Sequence, residues 1–273
     1  MAATTTDQHP KITLYWLNDS RAQRMVWLLE ELGVPYDVNM FHRSKDMLAP
    51  AELQQIHPLG KSPIVTIQPT TTTEPGGGVM PRRLIVLAES PFIAQYLCDH
   101  FGKHLVPNKY KNLDGGELGG AETDEWMRHQ HLLYYSEGSL MPPLLVALIL
   151  SILSGPKIPF FIRPITSTVA GKVHNSFVVP NIENHCAFLQ QLLETSPNGG
   201  QYLCGGKLTA ADILISYPLL NLPRVEALGG ESQKGKLKEK FPKLFEYIAR
   251  LEEHEGYKRA DKKIKELEAK QKD

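Results

Sequence analysis

Apolar and polar residues alternate near the start of the chain, and the spacing then becomes helical. Residues 11–17 alternate as a half-buried β-strand does, and residues 21–32 repeat apolar positions every three or four residues up to a stop at Gly33. The apolar positions are Ile12, Leu14 and Trp16 in the strand, and Ala22, Met25, Val26, Leu29 and Leu32 in the helix. A second strand is predicted over residues 35–41, parallel to the first because a helix separates the two.

The pattern continues with elements that complete one layer. A weaker helix is predicted over residues 49–56, and two β-branched runs at 64–68 and 84–87 predict an antiparallel pair of strands. A further helix from Pro91 to Phe101 ends at Gly102. The segment between the paired strands is rich in Thr, Gly and Pro, which predicts an elongated hairpin loop. This order of elements predicts an α/β N-terminal domain.

The second half of the chain has only helical spacing. A glycine-rich linker is predicted at residues 103–120 and an all-α domain at 121–257. A flexible N-terminus is predicted at 1–10, and a charged tail, a solvated helix or a frayed end, at 258–273. The longest apolar run, Leu144 to Leu153, is too short to span a bilayer. We therefore predict a buried helix there and no transmembrane segment.

Charge and cysteine content narrow the class of protein. The chain has 30 basic and 30 acidic residues, so no global field attracts nucleic acid, and no nucleic-acid partner is expected. The three cysteines do not have the number or the spacing of a disulfide-stabilised fold, which favours a reducing compartment. The first residues lack a basic and apolar secretion signal. A cytoplasmic protein is predicted.

Histidines are numerous, but they do not predict a metal site. His129 and His131 are two residues apart and face different sides of a helix. Glu125 lies four residues before His129, and two potential ligands fall short of a zinc site. No metal is expected.

The stretch from His57 to Val65 contains the first candidate binding residues. Pro63 has no N–H and stands before a strand, where a cis Ser62–Pro63 bond would turn the chain sharply. The backbone groups of Ser62 would then be available to pair with an extended peptide. Further along, Ser90 is predicted to cap a helix with Pro91 in its first turn, so the N–H groups there can meet an anion.

Three motifs together resemble the glutathione transferase superfamily. They are Asn18-Asp19-Ser20-Arg21 after the first strand, the His57–Val65 stretch, and Leu87 to Ser90. The resemblance covers about residues 11–255 and is closest to fungal and bacterial serine-type enzymes. It implies a thioredoxin-like α/β domain at 11–102 followed by an all-α domain. It also implies glutathione as co-substrate, a small hydrophobic electrophile as second substrate, and a homodimer.

The resemblance also implies roles for individual residues in glutathione binding. Ser62 would pair through its backbone with the cysteinyl part, and Pro63 would shape the turn. Glu89 would bind the γ-glutamyl ammonium and Ser90 the γ-glutamyl carboxylate. Lys61 stands where a cation meets the glycyl carboxylate, and His57 would support the loop. The remaining expected residues, which line an electrophile pocket, are Tyr134, Tyr135 and Met141.

The group that activates the thiol has three candidates. Ser20 precedes the first helix, where its hydroxyl and the helix N-terminus both favour a thiolate, although the same hydroxyl is suited to capping that helix. Tyr15 stands twelve residues before Trp27, a spacing similar to that of tyrosine-type enzymes. Asn18 offers an amide donor. We predict Ser20 as the catalytic residue, with Tyr15 and Asn18 as alternatives.

A local pattern in the second half predicts a structural feature. Thr209 is followed three residues later by Asp212 and then by an apolar run, which resembles a capping box. We assign both residues to folding. For the whole protein, the alternatives to transfer of glutathione to electrophiles are a glutathione-dependent isomerase or biosynthetic step, and a non-catalytic regulatory or scaffold protein.

Overall fold

The protein is described by a computed structural model, which covers residues 9–69, 83–111, 120–228 and 234–271. The chain divides into two compact units. One is built from Met1–Lys103 and His254–Asp273, and the other from His104–Glu253.

The first unit contains a mixed sheet. Its elements are β1 (Lys11–Leu17), α1 (Ala22–Leu32), β2 (Tyr36–Phe41), α2 (Glu52–Ile56), β3 (Ile64–Gln68), β4 (Ile85–Ala88), α3 (Ser90–Phe101) and α12 (Glu255–Lys270). The described strands lie in the order β2-β1-β3-β4, with β1 and β2 parallel and the other neighbours antiparallel. This is the predicted thioredoxin-like arrangement. The predicted hairpin loop falls mainly at residues 70–82, outside the described residues.

The alternation in β1 separates the two faces of the sheet. Ile12, Leu14 and Trp16 are buried on one face. On the other face Leu17 forms a small core with Leu53 of α2 and Ile64 of β3, against which Tyr15 and Phe41 pack. Gly33 ends α1 with a φ of 63°, a left-handed conformation that glycine adopts without steric cost.

The charged tail, predicted to be a solvated helix or a frayed end, forms a helix that packs on α1. Ala260 and Ile264 of α12 are buried, and the Trp27 and Tyr257 rings meet edge to face with centroids 5.3 Å apart. Glu30 of α1 accepts hydrogen bonds from Tyr36 and Lys263. Burial alone would favour the neutral acid, but these donors hold the pKa of Glu30 below its usual value. The few buried apolar residues of α12, such as Ala260 and Ile264, are hard to recognise in the sequence because charged residues surround them.

The second unit is helical throughout its described elements. They are α4 (Asp124–Tyr135), α5 (Met141–Ser154), α6 (Arg163–Val173), α7 (Val179–Glu194), α8 (Ala210–Leu220), α9 (Leu222–Leu228), α10 (Lys236–Lys240) and α11 (Pro242–Glu253). One-turn π-helical segments, Ser136–Leu140 and His174–Val178, join α4 to α5 and α6 to α7. Each is followed within two residues by a proline, Pro142 or Pro180. Because a proline ring clashes with the carbonyl four residues earlier and has no N–H, a widened turn lets the helix continue.

The π-helical segment Ser136–Leu140 makes the helix that contains the apolar run longer than the run itself. The apolar run that was predicted to be a buried helix belongs to a continuous helix over Asp124–Ser154. Among the described residues this is the helix that is long and apolar enough, by composition, to cross a membrane. Only 33% of its most apolar window is buried.

Thr209 and Asp212 form a capping box at the start of α8. The fully buried Asp212 carboxylate accepts hydrogen bonds from the N–H groups of Thr209 (2.9 Å) and Leu203 (3.2 Å). It also accepts from the hydroxyls of Thr209 (2.7 Å) and Tyr247 (2.6 Å). Burial raises the pKa of Asp212, and these donors oppose the rise.

Candidate functional site

The strand register brings three predicted site segments to one end of the sheet. β1 ends at Leu17, next to the first residues of antiparallel β3, where Tyr15 pairs with Ile64. Ile64 also pairs with Ala88, the last residue of β4. The turn that contains Ser20, the loop that contains Ser62 and the start of α3 therefore meet at this end.

Ser20 is buried between β1 and α1, with 7% of its surface exposed. Its hydroxyl donates to the carbonyl of Leu17 at 2.7 Å and accepts from the N–H of Ala22 at 3.1 Å. These contacts tighten the turn that leads into α1. The hydroxyl therefore has the local structural role that competes with thiol activation.

Ser62 lies beside Ser20, although 42 residues separate them in the chain. The two hydroxyl oxygens are 3.4 Å apart, and the Ser62 hydroxyl donates to the backbone carbonyl of Tyr15 at 3.0 Å. The Ser62–Pro63 peptide bond is cis. Pro63 is buried, Ser62 is half-buried and Lys61 is exposed.

The start of α3 differs slightly from its prediction. The helix begins at Ser90, so Glu89 rather than Ser90 is the cap residue. Glu89 has a φ of 70°, an uncommon conformation for a residue with a side chain, and it is exposed. Ser90 is buried in the first turn. Strained backbone of this kind is concentrated at functional sites, where the surrounding structure holds it in place.

His57 stabilises the loop that precedes Lys61. Its Nδ1 accepts from the N–H of Leu59 at 3.4 Å, and its carbonyl accepts from the N–H of Gly60 at 2.8 Å. Gly60 has a φ of 55°, and a Cβ there would lie 2.7 Å from the side chain of Gln54. Glycine is therefore strongly favoured at this turn.

The Tyr15 hydroxyl points away from Ser20. It lies 3.5 Å from the Thr66 hydroxyl, and Thr66 pairs with Thr13, nearer the beginning of β1. The Tyr15 ring also packs against Phe41, with centroids 6.3 Å apart. The phenol is thus directed along the sheet toward the opposite end.

Asn18 is held by Arg43, a residue that sequence reasoning missed. The Asn18 side-chain oxygen accepts from the N–H of Arg43 at 2.7 Å, and the Arg43 guanidinium donates to the carbonyls of Asn18, Asp19 and Met47. One signal was present in the sequence. Because β1 and β2 were predicted parallel, the residues that follow them had to be neighbours.

The protein's own thiols are not suited to act as nucleophiles. Cys98, Cys186 and Cys204 are free and buried. Burial raises the pKa of Cys98 and of Cys186 to about 12, and it raises the pKa of Cys204 as well. Burial therefore keeps these three thiols in the protonated form, which is a poor nucleophile. No cluster of three or more metal-binding side chains occurs within the described ranges.

The expected electrophile-pocket residues differ in exposure. Tyr135 is buried and its hydroxyl lies 2.6 Å from Nδ1 of His185, and Met141 is also buried. Tyr134 is 57% exposed. Two of the three residues therefore serve the interior of the helical unit, and Tyr134 alone of them has a largely accessible side chain.

Comparison with known proteins gives a consistent result over most of the chain. Residues 20–100 match the family model for the glutathione S-transferase N-terminal domain, and residues 143–259 match the model for the C-terminal domain. Glutathione S-transferase 1 of Saccharomyces cerevisiae is 32% identical over 258 residues, which cover 94% of this chain and 97% of the relative.

Solved structures show the same fold. A glutathione S-transferase from Actinobacillus pleuropneumoniae has a TM-score of 0.57 and 26% identity, with 92% of each chain covered. A glutathione transferase homologue from Lodderomyces elongisporus, solved with two glutathione molecules per subunit, has a TM-score of 0.62 and 18% identity, with 92% of this chain and 97% of that chain covered. By these matches the chain belongs to the glutathione S-transferase family.

Proposed function

We propose that the protein binds glutathione at the shared end of β1, β3 and β4 and activates its thiol for attack on a small hydrophobic electrophile or a peroxide. The backbone of Ser62 pairs with the cysteinyl part of the peptide, and Pro63 shapes that edge. Glu89 binds the γ-glutamyl ammonium, and Ser90 with the N–H groups of α3 binds the γ-glutamyl carboxylate. The exposed Lys61 binds the glycyl carboxylate, and His57 supports the loop.

The observation that carries this proposal is the 3.4 Å separation between the hydroxyls of Ser20 and Ser62. A peptide paired with the Ser62 backbone would bring its cysteinyl sulfur close to the Ser20 hydroxyl. The N-terminus of α1 begins two residues later and adds a favourable potential for an anion. The predicted peptide-binding edge at Ser62 and the predicted donor to the thiolate, Ser20, therefore lie side by side.

The energetics allow the Ser20 hydroxyl to change partners. In the structure it donates to the Leu17 carbonyl. A neutral hydrogen bond contributes about 0.5–1.5 kcal/mol, whereas a hydrogen bond to a charged group contributes about 1.5–3 kcal/mol. The hydrogen bond to a thiolate is therefore stronger than the one to Leu17 by roughly 1 kcal/mol. The Ala22 N–H, which donates to the oxygen, does not prevent this change of partner.

The two other candidates for the residue that activates the thiol, Tyr15 and Asn18, are less well supported. Tyr15 would have to leave its position beside Thr66 and reach toward the other end of the sheet. The side-chain oxygen of Asn18 accepts a hydrogen bond from the N–H of Arg43, and its side-chain nitrogen lies 3.3 Å from the Asp19 carboxylate. Ser20 remains the proposed catalytic residue. Of the three residues expected to line the electrophile pocket, the exposed Tyr134 is the remaining candidate for contact with the electrophile. We expect the protein to be a cytoplasmic homodimer.

The test compares Ser20→Ala with Tyr15→Phe. Loss of a donor to a charged sulfur is expected to lower kcat/KM toward a chromogenic electrophile by about 10- to 100-fold in Ser20→Ala. The pKa of the bound thiol, followed by thiolate absorbance, should rise in the same variant. Glutathione affinity should change little, because the peptide contacts remain. Tyr15→Phe should retain wild-type activity.

Two results would contradict the proposal. Full activity in Ser20→Ala with a large loss in Tyr15→Phe would transfer the role to Tyr15. A wild-type protein that binds glutathione but has no transferase, peroxidase or isomerase turnover would be a binding protein.

A further inference from the structure

The connection between β2 and α2 contains a short loop that hydrogen-bonds to itself. The Ser44 N–H donates to the Leu48 carbonyl at 3.0 Å, and the Met47 N–H donates to the Ser44 carbonyl at 2.9 Å. The Ser44 hydroxyl accepts from the N–H groups of Asp46 and Leu48, each at 3.3 Å. We call residues 44–48 the Ser44–Leu48 loop. Its shape is therefore fixed by bonds within the loop.

Two apolar side chains of the Ser44–Leu48 loop are exposed to solvent. Met47 is 50% exposed and Leu48 is 66% exposed, and they directly follow the charged residues Lys45 and Asp46. A single exposed apolar residue is ordinary, but here two are adjacent. Met47 also has a φ of 62°, which Gly or Asn adopts with less strain than Met does. The fold of the loop alone therefore does not account for a methionine at this position.

Strained backbone is concentrated at one end of the sheet. Among the residues that the structure describes, four that are not glycine have a positive φ. Three of them, Asp19, Met47 and Glu89, follow the ends of β1, β2 and β4. Asp19 and Glu89 neighbour the proposed thiol donor and the proposed γ-glutamyl site. Because such strain is concentrated at functional sites, Met47 is expected to take part in the same site.

Arg43 connects the Ser44–Leu48 loop to the turn that contains Ser20. One terminal guanidinium nitrogen donates to the Met47 carbonyl at 3.0 Å, and the other donates to the Asp19 carbonyl at 3.4 Å. The Asp19 carbonyl belongs to the peptide group that Asp19 shares with Ser20. The two backbone segments are therefore separated by no more than one guanidinium and its two hydrogen bonds. This places the exposed apolar pair beside the turn proposed to hold the thiolate.

We propose that Met47 and Leu48 contact the apolar chain of the electrophile and set the preference of the enzyme for the length of that chain. This inference rests on the proposed function, in which the thiolate lies at Ser20. A preformed loop adds contact area with little loss of conformational entropy on binding. The flexible, polarisable thioether of Met47 adapts to chains of different shape, so the contact selects for apolar length and not for one shape.

The test measures by calorimetry the affinity of the full chain for glutathione and for S-methyl-, S-butyl- and S-hexylglutathione. In these ligands the alkyl chain represents the electrophile after its bond to sulfur has formed. In wild type, each added methylene should raise the affinity about two- to fourfold. In the double variant Met47→Asn, Leu48→Ser the gain per methylene should fall below about 1.5-fold, with the affinity for glutathione itself unchanged. Asparagine is used at position 47 because it accepts a positive φ.

Two control variants separate this contact from a general effect of apolar surface. Leu84→Ser changes a residue that is 45% exposed and lies just before β4, at the end of the sheet away from Ser20. It should keep the wild-type gain per methylene. Leu48→Met keeps an apolar side chain in the Ser44–Leu48 loop and should keep the gain as well.

The possible results separate this inference from the proposed function. No gain per methylene in wild type, equal gains in wild type and the double variant, or an equal loss in Leu84→Ser would overturn the inference while glutathione binding remains. Failure of wild type to bind glutathione would overturn the proposed function and the inference with it. Light scattering tests for a contact between copies, because a dimer that the double variant converts to monomers would assign Met47 and Leu48 to that contact instead.

Discussion

Replacement of Asp212 by alanine is expected to destabilise the helical unit strongly, because the Asp212 carboxylate connects three parts of it. The carboxylate caps α8 through Thr209, fixes the backbone at Leu203 and receives the hydroxyl of Tyr247 in α11. The residue is fully buried, so water cannot replace it as an acceptor. Its loss would remove an anchor that is shared by segments far apart in the sequence.

The size of the effect follows from the donors that would be left behind. The hydroxyls of Thr209 and Tyr247 can rotate toward other acceptors, but the N–H groups of Thr209 and Leu203 are fixed by the backbone. A buried donor without a partner costs about 1–3 kcal/mol, so Asp212→Ala should cost roughly 2–6 kcal/mol. That is a large part of a typical unfolding free energy of about 5–15 kcal/mol.

Two variants separate this explanation from a general loss of charge. Tyr247→Phe removes one donor but leaves three, so it should cost only about 1–2 kcal/mol. Asp124→Ala removes an exposed carboxylate from the first turn of α4 and should cost less than about 1 kcal/mol. Urea unfolding followed by circular dichroism supplies the free energies. If Asp212→Ala costs no more than Tyr247→Phe, the reasoning from unsatisfied donors is refuted.

Two further predictions concern the turn before α1 and a buried histidine. Arg43→Lys should lower kcat/KM toward the chromogenic electrophile more than it lowers glutathione affinity. The reason is that a single lysine ammonium cannot replace the guanidinium, whose nitrogens donate to the carbonyls of both Asn18 and Asp19. Equal kcat/KM in Arg43→Lys and wild type would contradict a positioning role. Burial lowers the pKa of His129 to about 4, so below the unfolded value of 6.5 the unfolded chain takes up a proton that the folded chain does not. Stability should therefore fall as pH falls from 6.5 toward 4, by up to about 1.4 kcal/mol per pH unit, and His129→Leu should flatten the slope of unfolding free energy against pH; an unchanged slope would show that His129 is not its source.

The elements that follow from short-range patterns could be predicted from the sequence. The alternation in β1, the stop at Gly33 and the capping box at Thr209 each depend on residues within one turn or one strand. Pro142 likewise indicates a local departure from regular helical hydrogen bonding, because proline has no N–H. Its form, a widened turn that keeps the helix continuous, depends on packing that the sequence does not express.

Features of the site that depend on distant residues were harder to predict. The alternation assigned Tyr15 to a face of the sheet, but it could not give the direction of the phenol along that face, which Thr66 and Phe41 determine. Arg43 has no motif, and its role arises only where the ends of two parallel strands meet. The chemistry of candidate residues is thus easier to predict from sequence than the supports that orient them.

The position of α12 in the sheet-containing unit has a consequence for synthesis of the protein. The surface of α1 that carries Trp27 and Glu30 receives its cover from residues 255–270, after the whole of His104–Glu253 has been translated. At about 5–20 residues per second, a ribosome leaves that surface uncovered for on the order of ten seconds or more. The apolar face of α1 around Trp27 therefore stays accessible to water during this interval, even though the strands of the sheet have already been translated.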